Sequence, residues 1–128
     1  MKKKYSILGI EYGGHDTSAA LMIDGEVISC CEQERFDLVK HSRAFPSQAI
    51  NECLKIGGVS IDDIDEISVG CDFVDMIKKV YLKPAIKDIS RLDFMIKDIK
   101  RIESYLKIEK LIREKTSFKK KINFYRHH

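Results

Sequence analysis

The chain has 128 residues, of which 44% are hydrophobic and 34% charged, and a net charge of +3. That length and balance fit one globular domain or less with a modest core, and exclude a disordered or fibrous chain. The charge is uneven: residues 1–72 hold seven Lys/Arg against thirteen Asp/Glu, and residues 73–128 hold sixteen against seven. The basic half reads first as helices with solvated lysine faces, with nucleic acid or a membrane surface as the other reading.

In chain order, KYSILGIEY (4–12) is short and apolar and predicts a buried strand. Although Met1-Lys2-Lys3-Lys4 resembles the start of a signal peptide, Glu11 breaks the apolar run that follows, so no signal core forms. A loop, GGHDT, leads to a second strand over 18–24. Asp24-Gly25 is a hairpin turn, and EVISCCEQE (26–34) is a third strand, giving an antiparallel meander. KHSRAF (40–45) reads as a polar loop. Pro46 suits the first position of a helix, Ala49, Ile50, Cys53 and Leu54 keep helical spacing, and Gly57-Gly58 end it. A short acidic turn then precedes a strand at about 66–71. The order so far is βββαβ.

Beyond Val74 glycine disappears. Ile86, Ile89, Leu92, Ile96, Ile99, Ile102 and Leu106 recur at steps of three and four, which predicts one or two amphipathic helices, with Pro84 at a break or a start. INFYR (122–126) reads as a final strand running into His127-His128. Cys30, Cys31, Cys53 and Cys71 form neither a zinc pattern nor a disulfide framework, so reduced thiols and a cytoplasmic setting are expected. No run is long enough to span a membrane.

Three places carry residues suited to chemistry. In the 13–18 loop, Gly13 and Gly14 permit close backbone approach, and Thr17 and Ser18 add hydroxyls. His15 is suited to proton transfer, and Asp16 to orienting it. The plain alternative is a tight turn with a surface histidine. Glu32 to His41 clusters carboxylates with Arg35, Lys40 and His41. Lys40 is suited to neutralising a phosphate, and a charged strand exit is the other reading. His127-His128 is a poor metal pair by itself, because adjacent histidines rarely face one ion; a tag remnant is the alternative.

Taken in order, a larger pattern emerges: Leu8-Gly9-Ile10, His15-Asp16-Thr17-Ser18-Ala19-Ala20-Leu21, Asp24-Gly25, Glu32-Gln33-Glu34-Arg35-Phe36, Lys40-His41, Phe45-Pro46 and Asp62-Asp63-Ile64-Asp65. This ordered set, over roughly residues 5–72, resembles the N-terminus of the O-carbamoyltransferases of nodulation-factor and antibiotic biosynthesis. The resemblance implies an α/β fold, the first lobe of an actin-like ATPase (ribonuclease H-like) domain. It would have βββαβ order and an additional helical segment, with a second domain following. The chain would divide into 1–73 (βββαβ), 74–116 (basic helices) and 117–128 (a strand entering a His motif). It implies ATP-dependent transfer of a carbamoyl group from carbamoyl phosphate, through carbamoyl-adenylate, to a hydroxyl of a sugar or natural product.

By the same resemblance, His15 is the active-site histidine that deprotonates the acceptor, and Asp16 orients it. Gly13, Gly14, Thr17, Ser18 and Lys40 contact the carbamoyl-adenylate. His127 is the first histidine of a site for a divalent metal, iron, zinc or magnesium. The expected partners are carbamoyl phosphate, a hydroxyl-bearing small molecule, and further C-terminal domains or a partner chain. No membrane is expected, and an RNA-contacting role for the basic helices ranks last. A piece of such an enzyme is expected to be inactive alone. The alternative is a non-catalytic module that pairs through the surface a missing lobe would cover.

Overall fold

The computed structural model of the protein describes residues 2–126. Strands β1 (Ser6–Glu11), β2 (Ser18–Ile23) and β3 (Glu26–Glu32) form the expected antiparallel meander. A short helix, α1 (Glu34–Asp37), follows β3 where the sequence reading continued the strand to 34. It closes on Leu38 in the left-handed conformation. Helix α2 (Ser47–Gly57) starts one residue after Pro46, whose carbonyl accepts the Ile50 N–H at 2.9 Å. A 3-10 turn (Ile61–Asp63), in which Asp63 accepts from both the backbone N–H and the hydroxyl of Ser60, leads into β4 (Glu66–Val69). β5 (Lys121–Phe124) is the final strand.

The strand order is β3-β2-β1-β4-β5, with β4 parallel to β1 and β5 parallel to β4. This is an α/β arrangement on one mixed sheet. Alternation sends Leu8 and Ile10 to one face, where register sets Leu8 between Leu21 and Ile67, and Ile10 between Ala19 and Val69. All six are at most 3% exposed. Against them pack Ala49, Ile50 and Cys53 of α2. The approach is close: a Cβ on Gly57 would lie 2.3 Å from Leu21 Cδ2, so the end of α2 seats on the sheet only without a side chain there. The opposite face, with Gly9 beside Ala20 and Ser68, is small-residued and barer.

Residues 73–116 depart from the expected one or two helices. They form α3 (Phe73–Ile77), a π-helical turn (Lys78–Leu82), α4 (Lys83–Lys87), a 3-10 turn (Ile89–Arg91), α5 (Leu92–Lys97), α6 (Ile99–Leu106) and α7 (Ile108–Thr116). Pro84 has no N–H to give, and Asp88 turns extended and caps Ser90, so no single axis persists. The apolar recurrence therefore does not become one buried stripe: Ile86 and Ile89 are 84% and 76% exposed. The buried side chains are instead Ile77, Tyr81 and Ile102, a small cluster of their own, and Ile108 and Ile112, which join the sheet core with Phe73 and Phe118. Burying an isoleucine contributes about 1.5–3 kcal/mol, so α7 is firmly docked onto the β-sheet. Among the described residues no helix is long and apolar enough to cross a membrane.

Candidate functional site

The loop after β1 divides two clefts. Residues 12–15 border the larger, of about 670 Å³, whose far wall is the α6–α7 junction. Asp16 and Thr17 border the smaller, of about 220 Å³, with Glu32, Glu34, Lys40, His41 and Ser42. The loop can take this path because Gly13 has φ +94°, and because a Cβ there would come within 3.0 Å of the Phe73 ring. Phe73 in turn stacks on Tyr105 of α6 at 5.0 Å. The helical segment thus shapes the loop and supplies a cleft wall.

The larger cleft is basic. His15 shares it with Arg43, Arg101, Lys107 and Lys110, against Glu114. Lys107 pairs with Glu103 at 2.5 Å, while Arg43 has no ion pair among the described residues. A cleft of this size with aromatic and cationic walls suits a small anionic or polar ligand.

In the smaller cleft, His41 Nδ1 lies 2.8 Å from Asp16 Oδ1. The His41 N–H donates to Glu34 Oε2 at 2.9 Å, and His41 adopts φ +56°. Both loops rest on buried polar contacts. Thr17, 2% exposed, donates its hydroxyl to the Ser42 carbonyl at 3.3 Å. Its own carbonyl accepts the Gln33 N–H at 2.9 Å. The Gln33 side chain accepts the Ala49 N–H and donates to Gln48, which fixes the start of α2. The Ser42 hydroxyl donates to Asp37. With the Val39 N–H, it holds the Asp37 carboxyl below its usual range.

The expected site residues are therefore dispersed. Gly13, Gly14 and His15 line the larger cleft; Asp16 and Lys40 line the smaller. Asp16 pairs with His41 and, among the described residues, makes no hydrogen bond to His15. Thr17 is buried and its hydroxyl is engaged within the fold, so it supports the loop from behind. Ser18 opens β2 and borders a shallow hollow with Gly9, Ala20 and Ser68. His127 lies outside the described residues. His41 and Glu34 sat inside the Glu32–His41 cluster, but no spacing signal tied them to Asp16, and Arg43 and the α6–α7 cations carried none. Asp16, Glu34 and His41 each bring a ligand atom within 4.8 Å of the others. Two carboxylates and an imidazole are a donor set compatible with a divalent cation.

Comparison with known proteins bears on the whole chain. Residues 6–128 match the family described as "Carbamoyltransferase N-terminus". An uncharacterised protein of Synechocystis, sll1178, is 44% identical over 61 residues, 48% of this chain and 10% of that protein. The nodulation protein NolNO of Sinorhizobium fredii is 44% identical over 54 residues, 42% of this chain and 8% of its own length. An uncharacterised 19.2 kDa protein of Rhizobium etli is 41% identical over 54 residues, 42% of this chain and 32% of that protein. The aligned stretches thus span a tenth or less of the first two relatives, and about a third of the third.

Proposed function

Because this chain belongs to the carbamoyltransferase N-terminus family, we propose that it is the first lobe of an ATP-dependent enzyme that carbamoylates a hydroxyl of a sugar or natural product. The observation that carries the reading is the 13–17 loop. It borders both the His15 cleft and the Lys40 cleft, so residues far apart in the motif come to two sides of one short segment. The βββαβ order, with β4 parallel to β1, supports an actin-like lobe.

In this reading carbamoyl phosphate, water and ATP yield carbamoyl-adenylate, phosphate and pyrophosphate, and the Lys40 ammonium neutralises the adenylate phosphate. The acceptor hydroxyl attacks the carbamoyl carbon, AMP departs, and an imidazole beside the loop takes the hydroxyl proton. The ordered motif puts His15 forward for that proton. The basic walls of the larger cleft favour an acceptor bearing negative charge or many hydroxyls. His127 would supply one ligand to the divalent metal that the motif implies. Since the aligned stretches cover so little of the first two relatives, we expect the chain alone to lack turnover.

The test is carbamoyl-phosphate-dependent ATP–pyrophosphate exchange, followed by transfer to an added sugar acceptor. Both are run on the chain alone and on the product of the full reading frame. Exchange and transfer by the latter alone is the expected result. Neither activity in the full product would refute the proposal, and turnover by the chain alone would refute its half-site character.

A further inference from the structure

We infer that the acceptor is a sugar carrying a phosphate or diphosphate group, its hydroxyl presented to His15 and its phosphoryl oxygens to Arg43, Arg101 and Lys110 in the larger cleft. This rests on the carbamoyl-transfer reading and narrows the acceptor within it from any hydroxyl-bearing molecule to a phosphorylated one.

A short stretch of chain supplies most of the charge. Arg101 and Ser104 lie on α6, Lys107 at the junction, and Lys110 and Glu114 on α7, while Arg43 comes from the loop ahead of α2. The lining holds four cations against one carboxylate. Little of that positive charge is neutralised within the fold. Arg101 approaches Asp98, and Lys110 approaches Glu114, only to 3.8 Å, too long for a hydrogen bond. Arg43 has no ion pair among the described residues, and of the four only Lys107 is closely paired, with Glu103. Lys40, which the transfer reading gives to the adenylate phosphate, lines the other cleft. The cations of the larger cleft are thus left for a second anion.

The cationic wall is also fixed relative to His15. Ile108 and Ile112 of α7 are buried in the sheet core, and Tyr105 of α6 stacks on Phe73 at 5.0 Å. Both Phe73 and Ile108 crowd the place a Gly13 Cβ would take, at 3.0 and 3.5 Å. The same contacts therefore seat the His15 loop and the α6–α7 wall, so a ligand bridging the two meets groups held at a set spacing. Tyr12 and Tyr105 add aromatic surface on which a sugar ring can lie. A phosphoryl group, with near two charges and three acceptor oxygens, engages guanidinium forks and an ammonium together, which a lone hydroxyl does not.

The first test uses the chain as it stands. The probes are glucose and mannose, each free, as the 1-phosphate and as the nucleoside diphosphate sugar. In spectra of the labelled protein the Gly13 amide and the Arg43 and Arg101 side chains should shift with the phosphorylated forms, and salt should reduce the shifts. The free sugars should leave these signals in place. Equal shifts with the free sugars, or none with any phosphorylated form at millimolar concentration, would overturn the inference. The 1-phosphates and the diphosphate sugars separate the two sources of the phosphoryl group.

The second test uses the product of the full reading frame and the same probes. Transfer should have a lower KM for phosphorylated than for free sugars. Arg101→Gln and Lys110→Gln should each raise that KM by roughly tenfold with kcat nearly kept, and Arg101→Lys should recover part of the loss. Both side chains are more than half exposed, so these variants should fold. Lys110→Glu should turn preference toward glucosamine, a change that loss of fold would not produce. A KM that none of these variants moves, a preference for free sugars, or exchange without transfer to any phosphorylated probe overturns the inference. Parallel loss of acceptor-free pyrophosphate exchange does so too, by giving the cations to the nucleotide. In each of those cases the donor half of the enzyme reading stands. Absence of exchange in the unaltered enzyme removes that reading instead, and the spectra of the chain then judge the phosphate site by themselves.

Discussion

Replacing Thr17 by valine should loosen the site from behind. The two side chains have nearly the same shape, so the change deletes one hydroxyl from a position 2% exposed. The Ser42 carbonyl that accepted it at 3.3 Å stays buried and loses its donor. Leaving such an acceptor unpaired costs about 1–3 kcal/mol, and the long contact sets this case in the lower half of that range. With a urea m-value of about 1–3 kcal/mol/M, the midpoint should fall by roughly 0.3–2 M. Thr17→Ser is the matched control. It keeps the donor and loses one buried methyl, about 0.8 kcal/mol. The two variants should therefore be destabilised to a similar degree but differ at the surface. Thr17→Val should shift the His41 ring signals toward a mixed tautomer, and Thr17→Ser should leave them in place. An unchanged midpoint and unchanged His41 signals in Thr17→Val would refute the idea that the Thr17–Ser42 contact holds the two loops together.

Gly13→Ala should cost about 2–4 kcal/mol from its left-handed backbone and the crowding of Phe73, whereas Gly14→Ala, which has no positive φ, should be near neutral; urea midpoints of the pair check this. Acid should weaken the fold through Asp37, Asp65 and Glu66. Ser42 and Val39 hold Asp37 below its ordinary range, Lys3 and the Ser6 N–H do so for Asp65, and Asn123, Tyr125, Ser68 and Tyr5 do so for Glu66. A carboxyl with a lowered folded-state pKa contributes stability that is complete above its unfolded value and is lost as pH falls through the folded one. Denaturation midpoints should then drop between pH 5 and pH 3, less so in Tyr125→Phe, and a flat profile would count against these bonds. Thiol labelling near neutral pH should modify exposed Cys30 first. Burial pushes the Cys31 thiol up to about 11, and Cys53 is 0% exposed, so both should lag; early modification of Cys53 would contradict its place in the core.

Much of the fold was legible in the chain because its signals are local. Alternation in residues 6–11 and 18–23, the Asp24-Gly25 turn and the Gly57-Gly58 stop each depend on neighbours a few positions away. Residues 74–116 were harder to read. Steps of three and four predict a continuous stripe only if one helical axis persists, and Pro84 and Asp88 break that axis. The order of the motif residues pointed to the family, and the match over residues 6–128 bears that out. That Ile108 and Ile112 pack on the sheet while Ile86 and Ile89 face solvent was a decision of tertiary packing.

The site divides in the same way. From the sequence alone came the residue types at the loop, His15 and Asp16, and Lys40 with His41 further on, since composition and order need no coordinates. Which imidazole Asp16 holds was beyond it. Asp16 and His41 are 25 positions apart, and no periodicity links one loop to another across that distance. Their meeting depends on the β2–β3 hairpin returning the chain, on α1 closing at Leu38, and on Thr17 reaching the Ser42 carbonyl. Adjacency in the chain sets His15 beside Asp16. Adjacency in space, set by a buried hydroxyl one residue away, joins it to His41.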